Sequence, residues 1–345
     1  MEKRGSVVVI GAGIAGMQAS LDLAESGYKV YLVEKEQSIG GNMVKLDKTF
    51  PTGDCAMCTI SPKMVALDRN SDIVKLTMSE VVKVEGKPGD FLVTVKRRPR
   101  YVIEDKCNGC GECAEVCPTY ALSAFDAGIL GLSRNASKKE IKKAYRKLDT
   151  RAKKAIDIPF PQAVPLIYAI DRRYCINCKQ CETTCGKEAI DYGQKEEELK
   201  LKVGAVVVST GYELYNPAAL EEYGYGRIKN VLSNLQFERI LSPSGPTAGH
   251  VIKPSDGEPV KKIAFIQCVG SRDVRNYPYC SKICCMASTK EAIVAKEHEP
   301  EIDAYVLYMD LRSFGKGFQE YVNKAKSDFG VNYIRGRVAQ IMENP

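Results

Sequence analysis

The chain has 345 residues with 44% hydrophobic, 27% charged and 8% aromatic content, which excludes disordered, collagen-like and coiled-coil chains and leaves room for two domains with a smaller insert. Fourteen cysteines stand against two histidines, His250 and His298, and no tryptophan. A centre built on several histidines is therefore excluded. The start, MEKRGSVVVI, enters a strand at once and reads as no export signal, so the cysteines point to metal or redox work in a reducing, cytoplasmic setting. No apolar run reaches the length of a membrane helix.

Fifty Lys/Arg against 43 Asp/Glu leave a net charge of +7. Residues 134–154 hold ten Lys/Arg against Glu140 and Asp149, a net of +8, so the rest of the chain is near neutral. A nucleic-acid reading drawn from the overall charge is thereby disfavoured. Within the basic stretch Ile141, Ala144, Tyr145 and Leu148 recur at helical spacing, with Asn135 or Ser137 placed as a cap. It reads as a solvated basic helix or as a docking face for an acidic partner such as a ferredoxin.

Taken in chain order, Ser6–Ile10 is a β-branched run of the kind found in buried parallel strands. Gly11, Gly13 and Gly16 follow with G-x-G-x-x-G spacing, and a helix is expected over about Ile14–Ser26. The first glycine suits the tight turn, the second the approach of a pyrophosphate, the third the packing of helix on strand. A second strand, Lys29–Val33, ends at Glu34, 18 residues past the last glycine and placed to accept a ribose hydroxyl. NAD and FAD both use this unit. The following Glu34-Lys35, then Gly40-Gly41, resembles the glycine pair that two-dinucleotide-domain flavoproteins place after the acid, and favours FAD. Ala12, Ala15 and Asn42 complete the expected cofactor contacts, and Lys35 is either a further contact or a solvated lysine. A later run ending in Thr210-Gly211 resembles the strand-to-turn return of such enzymes to their flavin.

Cys107, Cys110, Cys113 and Cys117-Pro118 have the C-x2-C-x2-C-x3-C-P spacing of bacterial ferredoxins. Cys175, Cys178, Cys181 and Cys185 repeat it with Gly186 in place of the proline. Soft thiolates at this spacing suit 4Fe–4S cubanes rather than the paired cysteines of structural zinc. Because the fourth cysteine of each run ligates the other cluster, one centre is expected to take Cys107, Cys110, Cys113 and Cys185, and the other Cys175, Cys178, Cys181 and Cys117. The runs lie between the first flavin motif and its return, so the ferredoxin module must be inserted rather than appended.

Lys261–Gln267 is a further strand, followed by a loop, a helix over about Met286–Lys296 and a strand at Asp303–Tyr308. The pattern is that of a dinucleotide-type βαβ unit, but its loop lacks the glycine motif and carries Cys268, Cys280, Cys284 and Cys285. A third, non-standard cluster is expected there, with buried cysteines or a redox disulfide as the alternative. Cys55-x2-Cys58 is open between a redox dithiol, cluster ligation and packing.

The expected architecture is α/β: a Rossmann-like, disulfide-reductase-like FAD domain at 1–100 with its return at 196–260. An inserted ferredoxin module takes 101–195, with its basic insert at 129–154, and a degenerate βαβ unit takes 261–345.

Together these pieces resemble the flavin-bearing A-type subunits of heterodisulfide reductase. The matching segments include GAGIAGMQASLDLAESGYKVYLVEKEQSIGG, LDKTFPTGDCAMC, both ferredoxin runs, IPFPQAVP, STGYELYNP, FIQCVGSRD with CSKICC, and YMDLRSFGKG. The resemblance implies a flavin and iron–sulfur oxidoreductase subunit, electron-bifurcating in some complexes. It would work with the B-type and C-type subunits of heterodisulfide reductase, a hydrogenase or formate dehydrogenase-type donor and ferredoxin, within an oligomer. Related subunits serve sulfur-oxidising and quinone-interacting complexes. The family's long members carry further domains, so a short form, a split gene product or a fragment is expected, the last with its FAD site completed by a partner chain. A stand-alone flavin disulfide reductase is the alternative. The basic insert looks like the first half of a J domain, but that module's His-Pro-Asp loop is absent.

Overall fold

Ser6–Ile10 (β1), Lys29–Val33 (β2) and Ile73–Leu76 (β3) are parallel strands. The computed structural model that places them describes residues 5–122, 129–130, 132, 136–148 and 153–343. An antiparallel meander follows from Ser79–Lys87 (β4), Asp90–Arg97 (β5) and, much later, Glu197–Val203 (β8), after the short strands Ile156–Asp157 (β6) and Ala169–Ile170 (β7). Ala205–Val208 (β9) then returns beside β1, giving a four-stranded parallel sheet ordered β3-β2-β1-β9. Val7–Val9 at its centre are buried, as β-branched strands covered on both faces are. Met17, Ile60, Met64 and Leu67, from the helices Ile14–Glu25 and Ala56–Arg69, are buried with Val7, Val9, Val30 and Leu32 in one core.

Contacts divide the described chain into two units. The first comprises residues 1–44, 57–121 and 153–212; the second comprises 45–56, 122–152 and 213–345. The ferredoxin-like segment thus shares a unit with the flavin-type sheet. The boundary expected at residue 260 falls at 212, and residues 213–260 group with the βαβ segment. Strand signals locate β9 but give no warning of that regrouping, which long-range packing determines.

The ferredoxin segment is fastened to the loop after β2. Ile39 donates its backbone N–H to the Val164 carbonyl at 2.9 Å. The Gln37 amide donates to the Asp157 and Ile167 carbonyls at 2.7 and 3.2 Å. Phe160 and Ala163 are buried in the flavin-side core, so the IPFPQAVP segment serves as the seam. Arg100, 3% exposed, donates to the Gln37 carbonyl and to Thr77 Oγ1.

In the second unit Lys262–Ile266 (β10), Asp303–Tyr308 (β11) and Asn332–Arg335 (β12) form a parallel sheet in that order. The helices Cys284–His298 and Phe318–Ser327 make the crossovers, so the expected βαβ unit is present. The basic stretch forms the helix Lys138–Leu148. Ser137 and Glu140 make its capping box, with Ser137 N–H donating to Glu140 Oε2 at 2.8 Å and Glu140 N–H to Ser137 Oγ at 3.3 Å. Ile141 and Tyr145 are buried while Lys138, Lys139, Lys142 and Lys143 are exposed. Asn135, the other candidate cap, lies outside the described residues. No helix among the described residues is long and apolar enough to cross a membrane.

Candidate functional site

Three loops meet at the carboxyl ends of β1, β2 and β9, where open α/β sheets bind dinucleotides. Gly11 has φ +97°, and a Cβ there would strike the Ser209 carbonyl. A Cβ on Gly16 would overlap the Gly11 carbonyl oxygen, so strand and helix approach as only glycine allows. Gly13 is different, because a Cβ there would meet nothing within 4 Å. The space beside it suits a pyrophosphate facing the N–H groups of the Ile14–Glu25 helix.

The second glycine pair closes over this turn. Gly40 N–H donates to the Ala12 carbonyl at 2.8 Å, and a Cβ on Gly41 would lie 2.8 Å from Gly13 Cα. The Asn42 amide donates to the Tyr212 carbonyl at 3.1 Å, tying the pair to the Thr210-Gly211 turn. Glu34 is buried at the end of β2. Its two oxygens accept from the backbone N–H groups of Ala12 (2.8 Å) and Glu36 (2.9 Å), which fixes the carboxylate and leaves lone pairs for a sugar hydroxyl. Ala15, Lys35, Thr210 and Gly211 are exposed along the same rim.

The two cysteine runs fold alike. Gly109 and Gly111 take φ of +73° and +93° around Cys110, and Asn177 and Lys179 take +56° and +60° at the equivalent positions around Cys178. The second run holds this geometry with non-glycine residues, at a cost of about 1 kcal/mol or more each. Each loop ends in a short helix, Glu112–Glu115 or Gln180–Thr184, that carries the third cysteine inward. Cys117, Cys175, Cys178 and Cys181 line one cavity together with Tyr192, Thr119 and Ile170. Around Cys113 the surrounding thiols are Cys107, Cys181, Cys110 and Cys185. Cys117 thus lies with the second run's first three cysteines, and Cys185 is among the thiols around Cys113.

This donor set suits a cubane better than an ion. Structural zinc takes cysteines in two pairs, whereas two runs of four thiols at ferredoxin spacing are the all-sulfur set that such clusters take. Burial, then the neighbouring thiolates, pushes Cys113 up to about 12. Such a set ionises only against cationic charge, which thiolate-bound iron supplies. Tyr192 Oη lies 3.0 Å from Cys181 Sγ, and the Asn177 and Ala189 N–H groups donate to the Cys175 and Cys185 sulfurs, each at 3.4 Å. Tyr192 carries no sequence signal beyond its place near the second run.

The third set lies in the loop that joins β10 to the Cys284–His298 helix. Cys284 accepts hydrogen bonds from the Cys268 and Cys285 thiols, which holds it far below the usual thiol value. The same bonds, with burial, push the other two upward. Lys282 N–H donates to Cys280 Sγ at 3.3 Å. Cys268, Arg272 and Lys282 all have φ near +60°. Left-handed backbone at three such residues in one loop is the kind of strain that functional sites hold. Cys55 and Cys58 are exposed at the start of the Ala56–Arg69 helix.

Comparison with known proteins agrees with these two kinds of centre. The FAD binding domain model matches residues 6–45 and the 4Fe-4S binding domain model matches residues 100–123. FAD and iron–sulfur clusters are the cofactors of this chain. The A-type iron-sulfur subunit of the CoB–CoM heterodisulfide reductase of Methanocaldococcus jannaschii is 50% identical over 341 residues, which is 99% of this chain and 49% of that protein. The corresponding subunit of the H2:CoB-CoM heterodisulfide,ferredoxin reductase of Methanothermobacter thermautotrophicus is 47% identical, over 98% of this chain and 48% of that protein. That of the ferredoxin:CoB-CoM heterodisulfide reductase of Methanosarcina mazei is 42% identical, over 97% and 40%. The chain thus spans about half the length, or less, of these relatives. With matching flavin and ferredoxin segments and this identity along nearly its whole length, the chain belongs to the A-type subunit family of heterodisulfide reductase.

Proposed function

We propose that this chain is the flavin- and cluster-bearing electron-transfer subunit of a heterodisulfide-reductase-type complex. FAD is held by Gly11, Ala12, Gly13, Ala15 and Gly16, with Glu34, Lys35, Gly40, Gly41, Asn42, Thr210 and Gly211. One cluster takes Cys107, Cys110, Cys113 and Cys185, and a second Cys175, Cys178, Cys181 and Cys117. A third takes Cys268, Cys280, Cys284 and Cys285. Bound flavin exchanges electrons in pairs and a cubane exchanges them singly. The protein's part is to hold the flavin and the two ferredoxin-type clusters within one unit and to keep the cluster sulfurs hydrogen-bonded. The observation that carries the reading is the seam at Ile39–Val164, which ties the loop over the flavin turn to the ferredoxin segment within one unit.

The partners that fit are the B-type and C-type subunits of heterodisulfide reductase, ferredoxin, and a hydrogenase or formate dehydrogenase-type donor. In such a complex this chain divides an electron pair between two acceptors. A cytoplasmic setting accords with the fourteen cysteines of the chain.

Oxygen-free preparation with flavin and iron quantification tests the reading. About one FAD and about twelve irons are expected, on four per centre. Rapid bleaching of the flavin by NAD(P)H in the isolated protein would favour a stand-alone reductase instead. The exchange of fourth ligands has its own test. Cys117→Ser is expected to remove the centre of Cys175, Cys178 and Cys181 while the centre of Cys107, Cys110 and Cys113 keeps its EPR signal. Loss of the latter signal alone would reverse the pairing.

A further inference from the structure

We propose that Gln267 and Arg272 donate hydrogen bonds to the sulfurs of an iron–sulfur cluster held in the β10–helix loop, and so set its reduction potential. The proposal rests on reading Cys268, Cys280, Cys284 and Cys285 as ligands. Among the described residues three buried side-chain N or O atoms have no hydrogen-bond partner: both polar atoms of the Gln267 amide and Arg272 Nη1. All three belong to this one loop. Gln267 is 7% exposed and directly precedes Cys268. A buried amide without a partner costs as much as a lost hydrogen bond, and such groups in a folded protein mark a missing occupant or a functional role.

Arg272 is held in place from its other edge. Its Nη2 donates to Asp310 Oδ2 at 2.8 Å, and its guanidinium lies beside the Cys268 sulfur. The φ of +55° at Arg272 and +59° at Cys268 keeps the pair in that arrangement at the expense of backbone strain. The loop is bonded to itself as well: Ser271 Oγ donates to the Tyr279 carbonyl at 2.7 Å and accepts from Ser281 N–H at 3.1 Å. The orphaned Arg272 donor is thus fixed before anything binds.

Sulfur in a cluster is a soft acceptor that gains negative charge on one-electron reduction. Net charge and hydrogen bonds to sulfur are among the quantities that set the potential. An amide N–H and a guanidinium both favour the reduced form, so both raise it. Gln267 and Arg272 are positioning residues in this sense, not ligands.

The experiment is an equilibrium redox titration followed by EPR on the full chain, loaded without oxygen, for the parent, Gln267→Leu, Arg272→Met and Arg272→Lys. Each variant is expected to keep the parent's iron content. In Gln267→Leu the third centre's midpoint falls enough to change its reduced fraction tenfold at fixed potential, about 59 mV for one electron. Arg272→Met falls further, and Arg272→Lys recovers part of that loss. The two ferredoxin-type centres stay where they were. A loaded third centre with an unmoved midpoint in Gln267→Leu overturns the proposal. About eight irons in the parent would instead defeat the ligand reading beneath it. Melting gives an independent check: leucine at 267 is expected to raise the melting temperature of iron-free protein and lower that of loaded protein. A rise in both would also overturn the proposal.

Discussion

Lys290→Met is expected to destabilise the second unit by about 3–5 kcal/mol, lowering its melting temperature by roughly 10 °C. Lys290 and Glu238 are 2% and 1% exposed at their side chains, and Lys290 Nζ donates to Glu238 Oε1. The other Glu238 oxygen accepts from the Asp47 N–H at 3.2 Å. Methionine fills the lysine's volume but leaves the Glu238 carboxylate buried with only the Asp47 N–H and the protonated Glu291 carboxyl against it, and no countercharge. Desolvation then dominates, as it does whenever half of a buried pair is removed. The double variant Glu238→Gln/Lys290→Met removes both charges and is expected to recover most of the loss. Equal destabilisation of single and double variants in thermal melts would show that packing, not charge, is at stake.

Glu291 gives the same network a pH dependence. Burial first, then the Glu238 charge, raises its carboxyl well above the usual range, against the opposing pull of Lys290 and the Asn234 amide. The folded chain therefore keeps a proton that the unfolded chain releases near pH 4.5. Stability is complete below that value and falls as pH rises toward the folded one. Glu291→Gln keeps a neutral side chain and is expected to flatten this part of the curve, as melting temperature measured against pH will show.

What was legible in the sequence was local. The glycine turn, the two cysteine runs and the β10–helix–β11 succession are set by spacings of a few residues, and each corresponds to an element of the structure. The helix at 284–298 was legible as a helix but not in its surroundings: residues Cys285 to Ala295 are all buried, Lys290 and Glu291 included. Charged residues read as a solvent face unless a partner is known. Here the partner, Glu238, is 52 positions away. The meander shows the same limit, since β5 pairs with β8 from Phe91↔Val203 to Arg97↔Glu197 across the whole ferredoxin segment. No short-range pattern encodes that pairing. Tyr192 beside Cys181 and Gln267 beside Cys268 escape for a related reason: a hydrogen-bonding side chain becomes informative only once the sulfurs around it have been placed.

Gly13→Val and Gly16→Ala are expected to part folding from flavin binding, although both lie in one motif. A Cβ at residue 16 must overlap the Gly11 carbonyl oxygen, which belongs to the β1 turn itself. Relief requires the Ile14–Glu25 helix to move off the sheet and open the core around Met17. Gly16→Ala should therefore yield insoluble or low-melting protein. Gly13 has φ −73° and ψ −176°, extended backbone open to any residue. Nothing of the protein lies within 4 Å of a Cβ there, so valine should leave circular dichroism, melting temperature and iron content close to the parent's. It would instead fill the space through which a pyrophosphate approaches the helix N–H groups. The affinity for FAD, measured by calorimetric titration of flavin-free protein, is expected to fall at least about a hundredfold, about 2.8 kcal/mol. A Gly13→Val protein that binds FAD as the parent does would move the flavin away from this turn. A Gly16→Ala protein that folds and binds normally would mean that helix and strand are not in the close contact on which the turn depends.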